Sequence, residues 1–397
     1  MSTSDKHFAT RAIRTQPERA QREHSEPLYL TSSFVYEDAE QARALFANEQ
    51  QGNMYSRFSN PNTDALVEKL CLLEGAEDGF ATATGMAAVF ASIAAFLNAG
   101  DHIVASRALF GSSHQILTQI LPRWNITHTY VDGNDPAAWE AAIRTTTRMI
   151  MLETPSNPGL QVIDMEMLGG LARKHGLLFA VDNCFATPYL QQPARYGADL
   201  VIHSATKFID GQGRVVGGAV LGPKALIKEV RFFCRQTGPA MSPFNAWVLS
   251  KSLETLHVRM DRHCTNALTL ARRLEGRDDL EEVRYPFLES HPQFALAQKQ
   301  MAQGGGLVCM VLKGGYARAQ AFIDRLEMLS HTANLGDSRT IVTHPASTTH
   351  SKLSEEERRA VNVPQGLIRI SVGLEHLDDI AADVEQALLA SREVMAV

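Results

Sequence analysis

Four short apolar runs constrain this chain most: His102-Ile103-Val104-Ala105, Met149-Ile150-Met151-Leu152, Leu178-Phe179-Ala180-Val181 and Leu200-Val201-Ile202. None alternates with polar residues, so neither face of such a strand expects water. Stretches with helical periodicity, such as Met165 to Lys174, separate most of them. Strands buried on both faces and joined by helices imply an α/β fold with a mainly parallel sheet covered on each side. The run Gly217-Gly218-Ala219-Val220-Leu221-Gly222 adds a further strand, expected to return antiparallel.

Around this centre the pattern changes twice. Residues 1 to about 60 read as an extended arm with one helix near Asp38 to Ala47. Leu66, Leu70 and Leu73 then share one helical face, and Gly75 follows as a stop. From Phe244 to about Arg273 helical pattern dominates, either one long helix or a broken pair linking two domains. Beyond it, strands (Leu307 to Leu312, Leu367 to Val372) mix with helices (Ala317 to Leu326, Asp378 to Val394). The expected division is an arm over 1–60, a large α/β domain over 61–257 and a smaller α+β domain over 258–397.

Bulk properties exclude several classes of function. The chain has 397 residues and a net charge of −6 with no long basic block, which argues against a nucleic-acid partner. Its apolar runs fall far short of the ~20 residues of a membrane helix, and Met1 to His7 lacks the apolar core of a secretory signal. Cys71, Cys184, Cys234, Cys264 and Cys309 are scattered without CxxC spacing. They read as reduced thiols, not as disulfides or a metal site, and a cytoplasmic location is expected.

The chemistry gathers behind the fourth apolar run, where Ser204-Ala205-Thr206-Lys207 follows Asp199-Leu200-Val201-Ile202-His203. Most lysines are solvated surface charges, and an amine with a pKa of about 10.4 is a poor nucleophile at neutral pH. Lys207, however, ends a buried strand between two hydroxyls and a glycine-bearing turn, Asp210-Gly211-Gln212-Gly213. Desolvation there favours the neutral amine. An amine beside phosphate donors suits pyridoxal 5'-phosphate (PLP), which also needs a carboxylate against its pyridine nitrogen. Asp182, at the end of the third run, is the candidate.

Other candidates have plainer readings beside the functional one. Gly85-Met86 opens a helix whose first N–H groups can bind phosphate, or it is an ordinary helix start capped by Thr84. Ser204 and Thr206 are phosphate donors or strand-end polar groups. Phe110 stacks on a cofactor ring or joins the core. Arg369 alternates with apolar residues in Ile368-Arg369-Ile370. Buried, it needs an anion, either a structural partner or a substrate carboxylate.

The chain resembles the Cys/Met-metabolism family of PLP-dependent enzymes, related by fold to the aspartate aminotransferases. The resemblance runs nearly end to end. It rests on Tyr-Ser-Arg at 55–57, Thr-Gly-Met-Ala at 84–87, Glu-Thr-Pro-Ser-Asn-Pro at 153–158, Val-Asp-Asn at 181–183, Ser-Ala-Thr-Lys at 204–207, His-Pro-Ala-Ser-Thr-Thr-His at 344–350 and the run around Arg369. It implies a type I fold with a seven-stranded, mainly parallel sheet and a smaller C-terminal domain. Lys207 is then the cofactor-binding lysine and Asp182 the partner of the pyridine nitrogen. Ser204, Thr206, Gly85 and Met86 hold the phosphate, and Phe110 stacks on the ring. Asn157, Asn334 and Arg369 hold substrate. Tyr55 and Arg57 reach the phosphate in a neighbouring subunit, within a homotetramer built as a dimer of active dimers.

Two positions depart from the family pattern. Phe110 stands where most members carry a tyrosine, which removes a phenol from proton transfer. Ser112 stands where methionine γ-lyases typically carry a cysteine. Together with Asp-Gly-Gln-Gly-Arg at 210–214, Gly-Pro-x-x-Ser-Pro-Phe-Asn-Ala-Trp at 238–247 and Thr-x-Asn-Leu-Gly-Asp at 332–337, they look most like the O-succinylhomoserine sulfhydrylase branch. That likeness implies γ-replacement: O-succinylhomoserine and sulfide give homocysteine and succinate in methionine biosynthesis. Cystathionine γ-synthase and O-acetylhomoserine sulfhydrylase share the chemistry and stay open, as does a non-catalytic PLP-binding protein. A dinucleotide-binding reading fails, because Gly211-x-Gly213-x-x-x-Gly217 has the wrong spacing.

Overall fold

A computed structural model describes residues 5–15, 22–351 and 354–395. Seven strands form the larger sheet: β1 (Asp78–Thr82), β2 (His102–Ser106), β3 (Thr127–Val131), β4 (Thr147–Glu153), β5 (Leu178–Asp182), β6 (Leu200–Ser204) and β7 (Gly218–Gly222). Their order is β1-β7-β6-β5-β4-β2-β3. All neighbouring pairs from β3 to β6 are parallel. β7 runs antiparallel to both β6 and β1, as its sequence position led us to expect.

Each of the four opening apolar runs lies in this sheet, and strand alternation sends its side chains to two cores. In β6, Val201 packs with Leu66, Leu70 and Leu73, whereas Leu200 and Ile202 pack with Ala88, Val89 and Ala91. The first set belongs to a helix over Pro61–Glu74, started by an Asn60/Thr63 capping box and stopped by Gly75 at φ 82°. β1 and β3 lie at the two edges of the sheet. The sequence reading passed over both, because Asp78-Gly79 and the polar Thr127-His128-Thr129 dilute their strand signal.

The second sheet comprises β8 (Leu280–Arg284), β9 (Leu307–Leu312), β10 (Ser330–His331), β11 (Ile341–Thr343) and β12 (Leu367–Ser371), ordered β10-β11-β12-β9-β8. Along β9, Leu307, Cys309 and Val311 join the core shared with the large sheet, while Val308, Met310 and Leu312 face the small sheet's own helices. The helical linker is a broken pair, Pro243–Leu253 and Leu256–Leu274. The proposed domain boundary at 257/258 therefore falls in the first turn of the second helix. Leu256 and Met260 of that helix pack in the shared core, and Ala267 to Leu274 in the small one.

The expected arm needs one correction. A short helix, Phe8–Arg14, lies within it, with Ala12 fully buried and Phe8 5.0 Å from the Tyr189 ring. Only two apolar anchors in seven residues gave too weak a periodicity to read. Residues 1–4 and 16–21 of the arm lie outside the described residues.

Candidate active site

Parallel strands end on one edge, so β4, β5 and β6 deliver Glu153, Asp182 and Ser204 to a common place. Ligands of open α/β sheets bind at this carboxyl edge. The turn after β6 carries Lys207, whose N–H donates to Ser204 O at 3.2 Å and whose carbonyl accepts from Gly211 N at 2.9 Å. The next two residues are clamped. Arg259 donates to the carbonyls of Phe208 and Ile209 at 2.6 and 3.1 Å. With its following residues fixed, Lys207 directs its Nζ to Asn334 Oδ1 at 2.8 Å. Burial, with the Arg369 charge adding to it, pulls the Lys207 ammonium below its usual pKa. A larger share of nucleophilic neutral amine follows.

Asn334 reaches the lysine because the backbone beside it comes unusually close. Gly336 has φ +77°, and a Cβ there would lie 2.5 Å from Phe208 N. Gly85 is a second such position: its Cβ would stand 2.6 Å from the Ser204 Cβ. Only glycine lets the helix Gly85–Ala94 begin against the end of β6. Thr84 caps that helix, taking Ala87 N on its hydroxyl at 3.0 Å and Ala88 N on its carbonyl at 3.2 Å. The N–H groups of Gly85 and Met86 have no intrahelical partner and open beside Ser204. Thr206 exchanges hydrogen bonds with the backbone of Gly217 at 3.1 and 3.2 Å, tying the lysine turn to the start of β7.

Asp182 and Glu153 are register partners across β5 and β4. Asp182 accepts from Cys184 N at 3.0 Å. Burial pushes its pKa up to about 6, against the Cys184 N–H and the nearby His203. Glu153 is 3% exposed, and burial together with the Asp182 charge holds its pKa well above the usual carboxylate range. Its Oε2 accepts from Phe110 N at 2.8 Å, which fixes Phe110 at the head of the helix Gly111–Gln115. The sequence reading gave Glu153 no role. The signal was its place at the end of the second apolar run, matching that of Asp182 in the third.

Arg369 alternates in β12 with Ile368 and Ile370, which face the small core, so its side chain points to the large sheet. It is 2% exposed. Its Nη1 donates to Asn157 Oδ1 at 2.8 Å and its Nη2 to Asn334 O at 3.3 Å. The buried Nε has no partner among the described residues. A guanidinium so placed has donor capacity left for an anion.

Tyr55 and Arg57 stand apart from this cluster. Arg57 donates to Arg235 O and lies 4.6 Å from the Phe58 ring centroid, with Tyr55 43% exposed beside it. No hydrogen bond or ring contact links either residue to Lys207 among the described residues.

A profile of the Cys/Met metabolism PLP-dependent enzymes matches residues 9–389. The chain belongs to this family. It is 46% identical over 384 residues to the O-succinylhomoserine sulfhydrylase of Pseudomonas aeruginosa, covering 96% of this chain and 95% of that one. It is 42% identical to the L-methionine gamma-lyase of Porphyromonas gingivalis, covering 96% of each. Among solved structures, a Campylobacter jejuni chain described as an O-acetylhomoserine (thiol)-lyase superposes with a TM-score of 0.93 at 32% identity, covering 97% of this chain and 100% of that one. It carries N'-pyridoxyl-lysine-5'-monophosphate. The fold is thus the type I PLP fold, and this chain is a PLP-dependent enzyme acting on small-molecule substrates. Its residues fit the cofactor: an amine with lowered pKa, two open N–H groups in a cradle that a Cβ at Gly85 would fill, and a carboxylate at the neighbouring strand end. No described helix is long and apolar enough to cross a membrane.

Proposed function

We propose that the enzyme carries out γ-replacement, converting O-succinyl-L-homoserine and sulfide to L-homocysteine and succinate. The observation that carries this reading is the meeting at Asn334. Its side chain holds the Lys207 amine at 2.8 Å, and its carbonyl holds the Arg369 guanidinium at 3.3 Å. A proton-accepting amine thus stands one residue away from an anchor for an amino-acid carboxylate.

PLP, when bound, supplies an electron sink conjugated to the substrate's α-carbon. Lys207 Nζ takes the proton from that carbon and returns one later. Arg369 and Asn157 bind the α-carboxylate, and Asn334 orients both the amine and the guanidinium. Asp182 would pair with the pyridine nitrogen, and Phe110, its N–H held by Glu153, would stack on the ring. Ser204, Thr206 and the N–H groups of Gly85 and Met86 hold the phosphate. Tyr55 and Arg57 of the partner subunit complete that cradle in a dimer of active dimers.

The choice of acyl group and nucleophile is supported by the 46% identity to sulfhydrylases of Pseudomonas aeruginosa and Mycobacterium tuberculosis and by Ser112 in place of a cysteine. The rival within the family is γ-elimination, favoured by L-methionine gamma-lyases at 40–42% identity. One competition assay separates the readings. Purified holoenzyme is given O-succinyl-L-homoserine with equal sulfide and cysteine, and products are identified by mass spectrometry. Homocysteine as main product supports the proposal. Cystathionine reassigns the enzyme as a γ-synthase, and 2-oxobutyrate as a lyase.

A further inference from the structure

Beside Phe110 a cavity of 270 Å³ opens between the segment after β2 and the segment after β11. We propose that it receives the free carboxylate of the succinyl leaving group, with Arg107 as its counter-ion. The inference rests on the γ-replacement reading and adds what determines the acyl group.

Position is the first argument. Phe110 forms one wall, and its N–H is fixed by Glu153 at the strand ends that carry Asp182. His350 forms another and lies within electrostatic reach of Arg369. A substrate anchored by its α-carboxylate at Arg369 would therefore extend its far end towards this cavity. Its size accommodates a short dicarboxylate chain.

Chemistry is the second argument. The net charge of the chain is −6, yet no carboxylate lines this cavity among the described residues. Arg107, His114 and His350 do, with the hydroxyls of Thr348 and Thr349. The Arg107 guanidinium lies 6.0 Å from the Tyr130 ring centroid, and His114 stacks on the same ring at 5.1 Å. No carboxylate pairs with Arg107 among the described residues. His350 is 4% exposed and bonds Thr349 Oγ1 at 2.8 Å. Burial first, then the charges of Arg369, His114 and Arg358, hold its pKa down to about 4. Of these causes, the Arg369, His114 and Arg358 charges are the ones that also favour an anion nearby. An Arg–carboxylate fork gains orientation as well as energy, whereas an acetyl methyl group offers Arg107 nothing to bind.

The test uses holoenzyme and the variants Arg107→Met and Arg107→Lys. kcat/KM is measured with O-succinyl- and O-acetyl-L-homoserine at fixed sulfide, and succinate binding is followed by calorimetry. Arg107 is exposed, so neither variant should disturb folding. Arg107→Met is expected to lower kcat/KM for the succinyl ester by about 10–100-fold, the range of one charge-assisted hydrogen bond. The acetyl ester should change by less than about 3-fold, succinate binding should be lost, and Arg107→Lys should recover part of both. Equal losses on the two esters, or unchanged succinate binding, overturn the subsite while leaving the reaction in place. If the wild type ignores the succinyl ester yet binds succinate through Arg107, the reaction reading fails and the subsite stands.

Discussion

Glu153 and Asp182 are register partners across neighbouring parallel strands, two acids at the carboxyl ends of β4 and β5 with Phe110 N–H on Glu153 Oε2. Two carboxylates so close cannot both ionise readily. Burial and the Asp182 charge favour the protonated form of Glu153, while burial raises Asp182 less, to about 6. Glu153→Gln keeps a neutral acceptor for Phe110 and is expected to retain activity within about 3-fold. Glu153→Ala frees Phe110 and should lose at least about 10-fold, with weaker PLP binding by fluorescence titration. Equal damage from both variants would show that Glu153 works as an anion.

The same pair sets a pH dependence in the cofactor-free protein. Its carboxyl pKa values are raised on folding, so the folded state binds more protons than the unfolded chain. Stability from this source is complete below the unfolded value of about 4 and is lost as pH rises through the folded value of about 6. A two-unit shift, discounted for the partial exposure of Asp182, is worth on the order of 2 kcal/mol. The cofactor-free wild type should therefore gain thermal stability from pH 7.5 to 5.5 relative to Asp182→Asn. Parallel melting profiles for the two proteins would refute this.

Lys207→Ala removes the amine without changing the turn, which is held by Lys207's own backbone bonds to Ser204 and Gly211 and by the Arg259 and Thr206 side chains. The variant should lose the violet absorbance of lysine-bound PLP and nearly all turnover, while its melting temperature stays near that of the wild-type apoprotein. Retention of both absorbance and turnover would remove Lys207 from the site.

Much of this arrangement was legible in sequence because it sits at strand ends. Lys207 and Asp182 each follow an apolar run, and a polar group at that boundary must face a ligand, solvent or a partner. Leu307 to Leu312 read correctly because burial on both faces leaves no polar interruption. The Glu153–Asp182 pairing was not legible, since which strands are neighbours is set by the sheet order and not by local pattern. Edge strands β1 and β3 escaped because an edge tolerates polar residues. The cavity beside Phe110 joins segments more than 230 residues apart, a distance that no local periodicity crosses.

Arg369→Lys keeps the charge but not the fork that spans Asn157 and Asn334. Loss of bidentate carboxylate binding should raise the KM for the amino-acid substrate by about 10–100-fold, leaving the absorbance of bound PLP in place. Arg369→Met should cost more activity and also stability, because the carbonyls around it lose their donor in a buried setting. A KM unchanged in the lysine variant would assign Arg369 a purely structural role.

Tyr55 and Arg57 supply the sharpest test of assembly, because their side-chain contacts within the chain are to Arg235 and Phe58 and none is to Lys207 among the described residues. If they serve the neighbouring site, Arg57→Ala and Lys207→Ala should each be inactive alone and complement when mixed. In a heterodimer, one site then combines an intact Lys207 with the intact Arg57 of the partner subunit, and the other site lacks both. Random reassortment of equal amounts makes half of all dimers mixed, so about a quarter of the wild-type specific activity should return. Co-refolding the two variants and assaying after exchange measures this directly. No recovery, with subunit exchange verified by mass, would mean that Arg57 acts only through its contact with Arg235 in its own chain.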